Sequence, residues 1–246
     1  NQLSGKGVSG QLDHDLGFAK LTAITAYRNQ KNASFQDIDF TGADISNNRT
    51  ANTIKTFTQE VRLASKGSGP FSWLVGGFYQ NEKLSTGRRI SNGTDIRAFA
   101  DGLSGQVPAA LLGALPAALR PALSGRSNIY ALEFLQSLVT PSIVPGKTYF
   151  AAGPAIDDNY SMKQTSFSLF SQADYQVTDH LTITGGLAYL SDKKDATSNV
   201  VLYDKFSALN LQAVPQLPAL GLPGNLYGAL GALQFYYGNT TNHAPV

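Results

Sequence analysis

Six stretches of the chain alternate apolar and polar residues one for one, the period of a β-strand, whose successive side chains leave opposite faces. Near residues 8–16, Val8, Gly10, Leu12, His14 and Leu16 share one face, against Ser9, Gln11, Asp13 and Asp15. Over 19–30, Ala19, Leu21, Ala23, Thr25 and Tyr27 oppose Lys20, Thr22, Ile24, Ala26 and Arg28. Over 55–66, Phe57, Gln59, Val61 and Leu63 oppose Thr56, Thr58, Glu60 and Arg62. Over 71–83, Phe71, Trp73, Val75 and Tyr79 oppose Ser72, Leu74 and Phe78. Over 164–177, Phe167, Leu169, Ala173, Tyr175 and Val177 oppose Ser166, Ser168, Gln172 and Asp174. Over 181–194, Leu181, Ile183, Leu187 and Tyr189 oppose Thr182, Thr184 and Asp192.

The connections test this pattern independently, because a one-residue slip in pairing exchanges the faces of a strand. Gly17-Phe18 pairs Leu16 with Ala19, the turn at Gly67-Ser68-Gly69 pairs Ser65 with Phe71, and Thr178-Asp179-His180 pairs Val177 with Leu181. All three keep the less polar faces together. The strands leaving these turns also carry Tyr at one common step: Tyr27 follows Ala19 by eight, as Tyr79 follows Phe71 and Tyr189 follows Leu181. Eight residues tilted by about 40° rise roughly 20 Å, close to the apolar band of a membrane barrel. Tyr then marks one rim of the band, and Phe18, Phe71 and Trp73 the other.

Long connections near 40–53, 93–160 and 201–246 face the short turns, the asymmetry of an outer-membrane barrel. The predicted fold is therefore all-β: antiparallel up-and-down transmembrane barrel strands, about six of them, forming a fragment of a larger barrel over 1–246. A soluble β-sandwich binding module, whose uncharged face is a core, is the alternative built from the same alternation. Residues 103–119 are too interrupted by Gly and Pro to span a membrane as a helix and read as a loop with one short helix.

Composition changes this little. The 246 residues are 42% hydrophobic and 15% charged, with 24 Gly. A net charge of +2 argues for neither a nucleic-acid partner nor an anionic membrane surface. The lack of cysteine excludes thiol catalysis, cysteine metal sites and disulfides. Asn1–Ser4 is no export signal and residues 239–246 end in polar sequence, so the chain is expected to be a piece of a longer one.

Several segments resemble barrel strands of TonB-dependent receptors: residues 21–28 (LTAITAYR), 57–65 (FTQEVRLAS), 73–79 (WLVGGFY), 169–175 (LFSQADY), and 181–189 (LTITGGLAY) followed by Asp192-Lys193-Lys194. With their turns they cover somewhat over half of the chain. The resemblance implies a 22-stranded barrel filled by a plug domain, importing scarce nutrients or siderophore-type ligands with energy delivered through the TonB protein. Outer-membrane lipid would be a partner, the extracellular small-molecule ligand is unknown, and the location would be the bacterial outer membrane. The chain departs from the family in showing no plug and no TonB-contacting segment, so transport would belong to the parent protein. A passive channel or adhesin barrel is the alternative.

Lipid-facing or girdle positions are then Leu21, Tyr27, Phe57, Val61, Leu63, Phe71, Trp73, Tyr79, Phe167, Leu169, Tyr175, Leu181, Ile183, Leu187 and Tyr189. Arg28, Glu60, Arg62 and Asp174 would face the lumen or plug, in a salt-bridge network around Glu60 and Arg62. No catalytic group, metal site or cofactor is expected: His14, His180 and His243 have no ligand spacing, and the Gly-rich stretches lack a phosphate-cradle context. The apolar stretches 109–115, 132–138 and 226–237 would either pack on one another or favour a hydrophobic ligand.

Overall fold

Alternation commits a segment to a sheet only where neighbouring strands complete its backbone hydrogen bonds, and each strand here finds them in its sequence neighbour. In the computed structural model, which describes residues 1–209 and Gln234, one six-stranded antiparallel sheet runs in the order β1-β2-β3-β4-β5-β6. The strands are β1 (Gln2–Asp15), β2 (Ala19–Asp37), β3 (Ser46–Ser65), β4 (Phe71–Asn92), β5 (Gly153–Thr178) and β6 (Leu181–Leu202). β1 and β6 are the edges. Two compact units divide the chain: residues 1–34, 50–88 and 158–199 form the first, and 35–49, 89–157 and 200–246 the second.

The faces inferred from the alternation are those observed. Val8 lies opposite Tyr27, Leu12 opposite Ala23 and His14 opposite Leu21. Leu16 N–H donates to Ala19 O at 2.9 Å across a turn in which Gly17 takes φ 84°, a left-handed conformation that glycine adopts without steric cost. Across β5 and β6, Thr184 bonds Asp174, Ser166 bonds Asp192 and Ser161 bonds Thr197, all consistent with Val177 facing Leu181. The β3–β4 pairing is displaced by two residues from expectation. Trp73 N–H donates to Ser65 Oγ at 2.8 Å, Thr56 Oγ1 to Glu82 at 2.9 Å, and Gly93 N–H to Ile45 O at 2.8 Å. A shift of two leaves every side chain on its face.

Every strand except β1 runs further toward the long connections than the side-chain pattern indicates, and β1 begins six residues earlier. Backbone pairing continues after the apolar alternation fades, as between Gln2 and Ala33, because ladder bonds do not depend on side-chain polarity. The 40–53 connection consequently shrinks to 38–45, and the 93–160 connection to 93–152.

That second connection is not structureless. It carries α1 (Ile96–Ser104), α2 (Ala109–Ala114), α3 (Arg120–Leu123) and α4 (Asn128–Ser137). Of the prolines that suggested a loop over 103–119, Pro108 precedes α2, where the missing N–H costs nothing, and Pro116 lies in the connection between α2 and α3. Ile96, Ala100 and Ser104 are buried at four-residue spacing along α1, which packs against α4. Ser127 caps α4 by accepting the Tyr130 N–H. Leu111, Leu123, Ile129, Leu132, Tyr149, Phe150 and Phe206 join this core, with Leu112, Leu115, Phe134 and Leu135 against it. The 109–115 and 132–138 stretches thus contribute to one shared core. The 226–237 stretch lies outside the described residues, Gln234 apart, whose amide donates to Phe206 O and Leu209 O.

A buried carboxylate anchors the second unit. Glu133 is wholly buried and accepts from Arg97 Nη1 at 2.9 Å and from the N–H groups of Gly146, Thr148 and Tyr149 at 2.5, 3.0 and 2.6 Å. Four charge-assisted or backbone donors replace the water it has lost. Burial, and then the Glu133 charge, push the Tyr149 phenol up to about 12. Glu133→Ala should leave Arg97 buried without that carboxylate and destabilise the second unit by about 3–5 kcal/mol, measured as lost amide exchange protection at Thr148 and Tyr149. Because the phenol value is raised from 10.0, the Tyr149 contribution is complete below pH 10 and lost as pH rises through about 12. The melting temperature should fall over that window, and less so in Tyr149→Phe.

Candidate functional site

Among the described residues the first unit contains only strands and turns, so the unit itself supplies no second layer for either face of its sheet. Exposure nevertheless distinguishes the faces. On β3–β5 the apolar-face positions Phe57, Val61, Phe71, Val75, Tyr79, Phe167, Leu169 and Tyr175 are exposed, while Trp73 and Leu63 are half-buried. Their polar-face neighbours Thr58, Glu60, Phe78 and Ser168 are half-buried. Leu21 on β2 is half-buried and Tyr27 exposed. Leu181, Ile183, Leu187 and Tyr189 on the edge strand β6 are all exposed, Leu187 at 82%. The Phe57 and Tyr79 rings lie 6.3 Å apart on the apolar face, within the range of favourable aromatic pairs. Large apolar side chains exposed across a whole face are the arrangement expected of a surface that meets something apolar.

The opposite face is polar and only in part a salt-bridge network. Arg62 Nε lies 2.9 Å from Glu60 Oε1. Asp174 pairs with no cation among the described residues: it accepts from Thr184 Oγ1 at 2.6 Å, Gln172 Nε2 at 3.2 Å and Ser72 Oγ at 3.5 Å. Arg28 is exposed opposite Gly7 and forms no ion pair with a described residue. The expected network fails at these two positions because the residues facing them across the strands are small or hydroxylic rather than charged. The same face is tightly packed around Gly76, where an added Cβ would lie 2.4 Å from Phe170 Cζ.

A separate cavity of about 360 Å³ lies in the second unit, lined in part by Asn92, Lys147, Thr148, Tyr203 and Lys205. Asn92 Nδ2 donates to Ala151 O at 3.3 Å, and its buried Oδ1 has no hydrogen-bond partner among the described residues. Arg89 and Asp157, also in this unit, form a two-bond ion pair at 2.5 and 2.6 Å that Tyr203 joins at 3.3 Å. None of the cavity residues stands out in the sequence. They come from separate segments, and no periodicity links them.

His14 faces Leu21 on the apolar face, His180 occupies the β5–β6 turn, and His243 lies outside the described residues. Among the described residues no group of three His, Cys, Asp or Glu is arranged to hold a metal, and no helix is long and apolar enough to cross a membrane. Gly76→Val should displace the Phe170 ring, costing about 1–3 kcal/mol by overpacking. A lower unfolding midpoint, relieved by adding Phe170→Leu, would check this.

No protein-family profile matches the chain. No curated protein matches it. Among solved structures it is similar to the ferric yersiniabactin uptake receptor FyuA from Yersinia pestis, with 12% identity and a TM-score of 0.48 over 82% of this chain. It is also similar to the siderophore receptor PiuA from Acinetobacter baumannii, with 13% identity and a TM-score of 0.31 over 81% of this chain. The chain spans 22% and 30% of those two proteins.

Proposed function

We propose that the chain is a segment of a membrane-spanning β-barrel in a bacterial outer membrane, and that its parent protein is a TonB-dependent receptor. In that reading the parent imports an extracellular small molecule, carries a plug domain, draws energy from the TonB protein and performs no covalent chemistry. One observation supports it above the others: the apolar face of a single six-stranded sheet is exposed across all its strands, with aromatic residues toward both of its ends. In water such a face would be costly at roughly 25 cal/mol per Å² of apolar surface. Against lipid it is the ordinary outer wall of a barrel. A sandwich would need a second layer over this face, and none exists among the described residues of the first unit.

The reading is tested by spin labels on single cysteines of the full-length protein in bilayers. Labels at Val61, Val75 and Ile183 should be reached by dissolved oxygen and shielded from a water-soluble nickel chelate. Labels at Thr58, Ser168 and Thr184 should show the reverse. Equal exposure of the two sets to the chelate would sink the barrel.

A further inference from the structure

The small net charge conceals a segregation of lysines. Lys6, Lys31, Lys55, Lys83, Lys163 and Lys193 come one from each of the six strands, and all lie in the first unit. By strand parity all six share the apolar face with Val8, Tyr27, Phe57, Tyr79, Phe167 and Tyr189. The register sets them at one level. Lys6 is opposite Asn29, and Asn29 is four residues beyond Thr25, whose hydroxyl bonds Gln59 at 2.5 Å, which aligns Asn29 with Lys55. The Thr56–Glu82 bond aligns Lys55 with Lys83. Asn81 bonds Thr165 at 3.1 Å, which aligns Lys83 with Lys163. The Ser161–Thr197 bond then aligns Lys163 with Asp195, beside Lys193. Lys31 stands two residues further along β2.

All six lysines are exposed. Lys6, Lys31, Lys55, Lys83 and Lys163 form no ion pair with a described residue, and Lys193 has Asp195 at 3.5 Å. Asp195 is the one acid that the described strands of this unit place on the apolar face. On the other face acids and bases are mixed, and several are paired, as in Glu60–Arg62 and Asp192–Lys194. Like charges directly opposite on strands about 4.8 Å apart oppose sheet formation. Folding therefore gives no reason for Lys55, Lys83 and Lys163 to be neighbours.

Their height supplies one. Lys31, Lys83 and Lys193 follow Tyr27, Tyr79 and Tyr189 by four residues, and Lys163 precedes Phe167 by four. Four residues on a strand tilted by about 40° rise roughly 10 Å, from the aromatic rim of an apolar band into the headgroup layer. We propose that this row binds the phosphate groups of phosphorylated lipid headgroups in the leaflet around the barrel, an inference that rests on the membrane reading. Lysine suits the role as a mobile point charge with three donors for phosphate oxygens. A row of one sign on the lipid-contacting face is complementary to an anionic headgroup layer.

The test uses the full-length protein in phosphatidylcholine nanodiscs doped with lipid A, a glucosamine lipid with two phosphates, or with its dephosphorylated form. Native mass spectrometry counts the lipids retained. The wild-type protein should enrich the phosphorylated form, and K55Q/K83Q/K163Q should reduce that enrichment tenfold or more, each lysine contributing about fivefold. K194Q, on the other face, should leave it unchanged. The wild-type enrichment should also fall as salt rises, a readout that survives if the triple variant misfolds. Equal retention of the two lipids by the wild type, retention insensitive to salt, or a folded triple variant that keeps the enrichment would each overturn the proposal. Failure of the protein to enter phosphatidylcholine discs at all would instead refute the membrane reading beneath it.

Discussion

The backbone ladder of the six strands is the constraint on which the other features depend. A β-strand has a side-chain period of two, so once the hydrogen-bonded register is set, parity assigns each residue to a face. In β1–β2 that register is continuous from Gln2–Ala33 to Asp15–Lys20. In the later hairpins facing residues also bond through their side chains, as Ser166 does with Asp192. The β3–β4 hairpin shows how tightly parity is held. Its pairing moves by two residues from the simplest turn, and both Phe57 and Tyr79 remain on the apolar face, with their rings in contact.

A different physics holds the second unit. Its helices are too short to be stable by propensity alone. They are fastened by burial of Ile96, Ala100, Leu111, Leu123 and Leu132 and by the Glu133 carboxylate, which collects the Arg97 guanidinium and three backbone N–H groups. Breaking such a cluster costs more than its formation contributes, because each orphaned group was desolvated on folding. The β2–β3 connection has a smaller version of the same device. Asp39 accepts from Thr41 Oγ1 and from the N–H groups of Thr41, Ile45 and Ser46. These bonds, that from Thr41 Oγ1 first, hold its carboxyl down at about 2.

The two faces of the sheet are built by different rules. On the polar face, charges are neutralised locally or satisfied by hydroxyl and amide groups, as Asp174 is by Thr184, Gln172 and Ser72. On the apolar face, most large side chains are left exposed, and of the six lysines beyond them only Lys193 has an acid near it among the described residues. A sheet folding for water alone would gain from neither arrangement. Both arrangements are coherent in a wall with hydrocarbon beside its middle and phosphates beside its rim.

The existence of the strands, their faces and the pairing across two of the three turns were legible in the sequence because alternation is local: Leu21 through Tyr27 declare their face without reference to any other segment. The Glu60–Arg62 pair, two residues apart on one strand, was legible for the same reason. Other features were decided only by tertiary structure. Strand extension to Asp37 or Asn92 depends on a partner backbone, which leaves no mark on side-chain polarity. The helices between Ile96 and Ser137 were hidden by glycines and prolines whose positions relative to helix starts appear only after folding. Glu133 draws its partners from residues 97 and 146–149, and the lysine row draws one member from each strand. Local periodicity reports which way a side chain points, but only the register reports what stands beside it.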